Sequence, residues 1–267
     1  SDYFETTTYA GGTTAITSLD FSPDWVWAKK RDGAESHGLF DSVRGATKDL
    51  RSDSTNAEST RSGSLTSFDS NGWSMGGSDG IISASGSTYV AWAWRGSDSS
   101  ASSNTDGDIS STVSANTTSG FSIVNFTKTD GELTVGHGLN AKPSLIIFKP
   151  LASANWIVTP EINGSMSNNY LLLHNTDVLG TDGAFSNPTT SVFSISNNIA
   201  PNSEHIAYCF ANKKGYSKFG SYTGNGNADG TFVYTGFKPA MVILKLTSTA
   251  GENWYIFDNK RDTDNVM

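Results

Sequence analysis

Apolar positions in this chain fall in short runs separated by stretches of Gly, Ser, Thr and Asn, and one run occurs three times. The copies are Phe21–Lys29 (FSPDWVWAK), Ala141–Lys149 (AKPSLIIFK) and Phe237–Lys245 (FKPAMVILK). Each carries a Pro, then a small or polar residue, an apolar run and a closing Lys. Pro has no backbone donor, so it suits the start of a strand and not its middle. A short apolar run rich in Val, Ile and Trp predicts a strand buried on both faces. The closing Lys is expected to end burial by carrying its charge back to water. One β unit is reused.

Around these runs the same order of elements recurs. In the first copy, Tyr3–Lys29 predicts two or three strands broken at Gly11-Gly12 and Ser22-Pro23. His37–Val43 is a short strand, Arg44–Arg51 offers one helical turn at most, and Leu65–Trp73 ends in the hairpin signal Asn71-Gly72. Tyr89–Trp94 (YVAWAW) is apolar at nearly every position and reads as a central strand. The second copy supplies strands at Phe121–Thr127, Pro143–Lys149, Asn155–Val158, Tyr170–His174, Val192–Ile195 and Ile206–Phe210. The third opens at Gly215, repeats the signature strand and Asn253–Asp258 (NWYIFD), and then stops. Asn155-Trp156 and Asn253-Trp254 stand at similar distances after their signature strands.

These patterns predict an all-β chain of tandem antiparallel β-sandwich modules, concanavalin-like or jelly-roll-like, with no segment of helical period. The expected division is a diverged first module over 1–96, a Ser/Thr/Asn-rich surface connection over 97–119, a second module over 120–214 and a truncated third over 215–267. On that reading the natural polypeptide continues past Met267.

Composition narrows the function classes. Only 16% of residues are charged and the net charge is −8, where nucleic-acid binding calls for clustered Lys and Arg. The acidity itself is read as a contribution to solubility. Cys209, the one cysteine, sits in the apolar run HIAYCFA and is expected to be an inert buried thiol. No apolar run approaches the ~18–20 residues of a membrane helix, and Ser1–Gly12 lacks the basic start of a signal peptide. Membrane insertion and Sec export are not expected.

Candidate chemistry is sparse. The four histidines, His37, His137, His174 and His205, share no metal-ligand spacing. Residues Asn104–Asp108 place oxygen-bearing side chains at alternate positions, as a calcium loop begins, yet the later bidentate Glu is missing. Asp182-Gly183 and Asp229-Gly230 read as hairpin turns. No predicted strand carries the paired carboxylates of a glycoside hydrolase, and neither a GxSxG elbow nor a P-loop occurs. No catalytic residue, metal or cofactor is assigned, and the chain is not expected to be an enzyme. Trp25, Trp27, Trp92 and Trp94 form alternate pairs better suited to a core than to sugar stacking. Tyr216, Tyr222 and Tyr234, set among Gly and Asn, are the better candidates for surface ligand contacts.

The run GFSIVNFT…VGHGL…KPSLIIFK…NWIV, followed by YLLLHNT, HIAYCFA, GYSKFGSYTGNGNADGTFVYTGFKPAMVILK and NWYIFDNKRD, resembles a family of tail, fibre or minor structural proteins of marine and related bacteriophages. Its most specific part is Gly215–Ala240, and Tyr3–Gly96 matches more loosely. The resemblance implies a non-enzymatic virion component that contributes to host attachment. It implies other virion proteins as partners, self-association (fibres are often trimers) and a host glycan or protein receptor. It brings no ligand residues with it. A lectin-like glycan-binding module and a capsid decoration protein are the alternative readings.

Overall fold

A computed structural model describes residues 2–261 except 182, 184 and 198. All regular structure within them is β. The first unit contributes β1 (Phe4–Ala10), β2 (Ala15–Ile16), β3 (Trp25–Lys30), β4 (Gly38–Asp41) and β5 (Lys48–Asp49). It continues with β6 (Ser59–Thr60), β7 (Leu65–Asp69), β8 (Gly72–Met75) and β9 (Thr88–Trp94). The second contributes β10 (Ser102–Asn104), β11 (Ser111–Asn116), β12 (Phe121–Lys128), β13 (Leu133–Gly136) and β14 (Pro143–Pro150). After these come β15 (Ile157–Pro160), β16 (Leu171–Leu172), β17 (Val192–Ile195) and β18 (Ser203–Ala211). The third adds β19 (Met241–Lys245) and β20 (Trp254–Asp258).

The repeat is visible in the topology. One sheet runs β1-β9-β3-β4, and the larger sheet contains β12-β18-β14-β15 in the same relative order, all antiparallel. In each, the last strand of the unit inserts between the first strand and the signature strand. The central place expected of Tyr89–Trp94 is the one it takes.

Period-two alternation then sorts side chains between two cores. From β3 and β9, Trp25, Trp27, Val90, Trp92 and Trp94 face inward, while Val26, Ala28, Ala91 and Ala93 face outward. From β18, Ile206, Tyr208 and Phe210 face inward, and Ala207, Cys209 and Ala211 outward. The inward faces of both sheets meet in one shared core, where Trp25 stacks on Tyr208 at 4.2 Å between ring centroids. Met241, Ile243, Trp254 and Ile256 of the third unit pack against that same core. The outward faces are covered separately. In the first unit β2-β8-β7 supplies Ile16, Leu65, Trp73 and Met75; in the second β13-β17 supplies Val135, Phe193 and Ile195. The β7–β8 turn ends at Gly72, φ 154°, where a Cβ would lie 1.8 Å from the Ile16 carbonyl oxygen.

Several expectations need correction. The stretch 97–119 is not merely a connection: β11 pairs onto β12 and β10 onto β11, extending the second sheet. Small Ser and Thr side chains concealed the alternation, and buried Ser111 satisfies its hydroxyl on the Gly136 carbonyl at 2.8 Å. The segment 44–51 forms a turn and β5 rather than a helical turn, and the Tyr170–His174 strand shrinks to Leu171–Leu172. Around Asp229-Gly230 there is a turn without flanking strands. Asp182 lies outside the described residues.

The closing Lys of the signature is fully buried in the second copy only, and stays partly exposed in the other two. Lys29 Nζ donates to the carbonyls of Gly33 and Glu35, Lys149 Nζ to those of Pro150 and Ala152, and Lys245 Nζ to that of Glu252. In all three copies the ammonium ties down the loop that follows. Burial holds the Lys149 pKa down to about 8. Charge-assisted bonds to carbonyls replace its lost hydration.

Buried imidazoles make stability pH-dependent. His37 Nδ1 accepts from Trp27 Nε1 at 2.8 Å, and burial lowers the His37 pKa from 6.5 to about 4. His205, also lowered to about 4 by burial, bonds Ser203 through Nδ1, while its Nε2 has no partner among the described residues. Both folded values lie below the unfolded one, so between pH 6.5 and 4 the unfolded chain takes up protons that the fold refuses. Stability from these groups is therefore full above pH 6.5 and lost as pH falls towards 4, by about 3 kcal/mol for fully buried His205. Asp49, raised to about 6 by burial, works in the opposite sense in the same range. Thermal melts at pH 7, 5.5 and 4.5 should show a falling midpoint, less steep in His205→Gln; a flat profile would contradict this assignment.

Candidate functional site

Two regions combine accessible surface with concentrated chemistry. The first is a polar cleft of about 230 Å³ between the first and second units, lined by Arg44, Lys48, Glu58, Thr112, Asn125 and Glu204 among others. Its floor is built by the turn after β4. Asp41 ends that strand fully buried, and its Oδ1 accepts the Arg44 amide at 2.8 Å while Oδ2 meets Arg44 Nε at 2.5 Å. Arg44 also donates to the Leu39 carbonyl and reaches Glu58 at 3.2 Å. Tyr208, from the centre strand of the second unit, donates to Asp41 Oδ2 at 2.7 Å. Glu58 is shared with Lys48 at 3.5 Å, and Asn125 Nδ2 donates to Glu204 at 2.9 Å. The carboxylates are committed to neighbours, and the Tyr208–Asp41 bond joins the two units.

The same clasp recurs in the third unit. Asp258 ends β20, accepts the Arg261 amide at 2.9 Å and pairs with Arg261 Nε at 2.6 Å; Arg261 also donates to the Ile256 carbonyl. Here the aromatic donor is Trp92 of the first unit, 3.2 Å from Asp258 Oδ2, with the guanidinium 5.1 Å over its ring. The matched Trp residues have a joining role as well. Trp156 Nε1 donates to the Arg51 carbonyl at 2.7 Å and Trp254 Nε1 to the Leu172 carbonyl at 3.0 Å, each reaching the preceding unit. The three units are thus linked pairwise around the shared core.

The second region is the third unit's outer side. Tyr222 is 53% and Tyr234 77% exposed, on a segment without strands. The Thr231 hydroxyl bonds the Thr223 carbonyl at 2.7 Å, which returns the chain near Phe232 to the chain near Tyr222. Phe232 is 86% exposed. On the outward face of β20, Tyr255 (45%) and Phe257 (39%) stand exposed with rings stacked at 6.4 Å. Sequence reasoning passed over Phe232, Tyr255 and Phe257; the alternation in NWYIFD was the available signal for the last two. Tyr216 is set apart from these. It is half-buried, edge-on to Tyr3 at 6.1 Å, with its hydroxyl pKa pushed up by burial.

Neither the calcium-like loop nor the thiol offers a site. Asn104 Oδ1 accepts the Asp106 amide and Asp108 Oδ2 accepts from Thr134, so these oxygens hold turns. No group of three or more His, Cys, Asp or Glu side chains gathers among the described residues. Cys209 is fully buried and burial pushes its thiol pKa well up, away from the reactive thiolate. No curated protein and no solved structure matches the chain. A family described as a domain of unknown function (DUF7483) matches it over residues 1–267, and the protein belongs to that family.

Proposed function

We propose that this chain is a non-enzymatic structural component of a bacteriophage particle, in a tail or fibre, that helps present the particle to its host. The observation that carries the reading is mechanical. Three β units share one aromatic core, and the bonds Tyr208–Asp41 and Trp92–Asp258, with the indole bonds of Trp156 and Trp254, clamp their seams. Such a body resists relative motion of its parts, as a load-bearing particle component must. The resemblance of Phe121–Met267 to virion proteins supports the same role. Immunogold electron microscopy of purified particles, with an antibody to residues 1–267, should label the tail tip or fibres. Label over the head would make it a capsid decoration, and unlabelled particles would remove the virion reading.

A lectin-like role is the second reading, favoured by the exposure of Tyr222 and Tyr234. Stacking of one ring on a sugar contributes about 1 kcal/mol, so Tyr222→Ala or Tyr234→Ala should weaken saturable glycan binding by about fivefold. Glycan binding that is unchanged in both variants would exclude these rings as the contact.

A further inference from the structure

We propose that the polar cleft between the first and second units binds a neutral polyhydroxylated ligand, a single sugar unit of a saccharide. The cleft begins where the core pattern breaks. Across β11, β12 and β18 the register pairs Thr112↔Asn125 and Ser114↔Ile123, then Asn125↔Ile206 and Ile123↔Tyr208. Ile123, Ile206 and Tyr208 belong to the shared core. Period-two alternation therefore turns Thr112, Asn125 and Glu204 towards that same inner face. They are polar where an extended core would be apolar, and they line a cleft of about 230 Å³.

Main-chain bonds set the width of this cleft. Leu151 donates its amide to the Glu204 carbonyl and accepts the Glu58 amide on its own carbonyl, both at 2.8 Å. Ala154 donates to the Thr55 carbonyl at 2.9 Å, a second main-chain tie between the same two units. Glu58 of the first unit and Glu204 of the second are thus held by a single residue between them. Every wall comes from residues 43–204, and the buried Asp41–Arg44 pair lies beneath.

Charge narrows the ligand. Arg44 and Lys48 balance Glu58 and Glu204, so the lining has no net charge to capture an ion. Arg44 is already spent on Asp41, Leu39 and Glu58, and Lys48 on Thr60 and Glu58. What stays open is hydrogen-bonding capacity of both senses. Asn125 Nδ2 commits one hydrogen to Glu204 Oε1, at 2.9 Å, and keeps another. The Thr112 hydroxyl, Asn125 Oδ1 and Glu204 Oε2 bond to no protein group among the described residues. A sugar hydroxyl both donates and accepts, and neighbouring hydroxyls match an amide beside a carboxylate. Val43 and Leu151, both half-buried, give the cleft an apolar border for the C–H face of a ring. The bound sugar replaces cleft water and takes over its hydrogen bonds. This site shares its ligand class with the lectin-like reading but lies apart from Tyr222 and Tyr234, and it does not depend on a virion role.

The test records amide spectra of the isotope-labelled protein during separate titrations with the methyl glycosides of glucose, galactose, mannose and N-acetylglucosamine. At least one should shift the amides of Thr112, Asn125 and Glu204 with a Kd of about millimolar, unaffected by added salt. Asn125→Leu should weaken that binding by about tenfold and Thr112→Val by about fivefold, while Tyr222→Ala leaves it unchanged. Thr112 is exposed, so its variant keeps the test valid if Asn125→Leu disturbs the fold. Shifts confined to the surroundings of Tyr222 and Tyr234 would overturn the cleft site and leave the lectin-like reading standing. Silence of the cleft amides towards all four glycosides would also overturn it, as would larger shifts there with acetate or ammonium than with any sugar.

Discussion

Trp25→Ala should lower the unfolding free energy by about 3–5 kcal/mol and weaken the first and second units together. Trp25 touches both: it stacks on Tyr208 and on Phe121 of the second unit, and lies 4.5 Å from Trp94 of its own. Removing the indole leaves a cavity lined by rings too rigid to collapse into it. Trp25→Phe should cost much less, because its Nε1 has no hydrogen-bond partner among the described residues and a benzene ring keeps most of the stacking. Denaturant unfolding followed by near-ultraviolet circular dichroism and by exchange of β3 and β18 amides would show one shared transition moving to lower denaturant. Two transitions, with only the first unit affected, would mean that the units do not share a core.

Arg44→Met should be as damaging, at about 3–5 kcal/mol, through a different cause. Burial alone would lower the Arg44 pKa, but Asp41, with Tyr208 and Glu58, more than reverses this and keeps the cation charged. Without the guanidinium, Asp41 remains a fully buried carboxylate supported by Tyr208 and one main-chain amide. The double variant Asp41→Leu with Arg44→Met should recover part of the loss, since replacing both charges removes the orphan. Arg261→Met should cost less: the Arg261 side chain keeps 29% of its accessible surface, against 1% for Arg44. A double-mutant cycle by chemical denaturation decides this. Additive losses at Asp41 and Arg44 would show that the pair does not act as a unit.

The parts legible in the sequence were those with strong local patterns. The signature runs, the central place of YVAWAW and the Asn71-Gly72 hairpin follow from Pro placement, apolar alternation and turn chemistry. What stayed hidden depends on partners distant in sequence. The strand β11 reads as polar linker because Ser111 and Ser114 are buried through contacts that composition does not reveal. The Asp41–Arg44 clasp becomes visible only when HGLFDSVR is laid over WYIFDNKR, and its purpose only when Tyr208 and Trp92 are placed beside it. Tyr216 shares with Tyr222 a Gly-rich setting, but the N-terminal Tyr3 covers it. No local signal separates the two.

The central position of the last strand in each unit has a consequence for synthesis. As the chain leaves the ribosome, β1, β3 and β4 emerge well before β9, the strand that joins β1 to β3. The same delay recurs before β18. Until each late strand arrives, indoles such as Trp25 and Trp27 are held only by the β3–β4 pair, and unpaired strand edges face the crowded interior of the cell. Long-range pairings of this kind close slowly, and nascent chains in that state are prone to associate. Cellular yield should therefore depend on how quickly translation delivers Thr88–Trp94 and Ser203–Ala211 after the strands that wait for them.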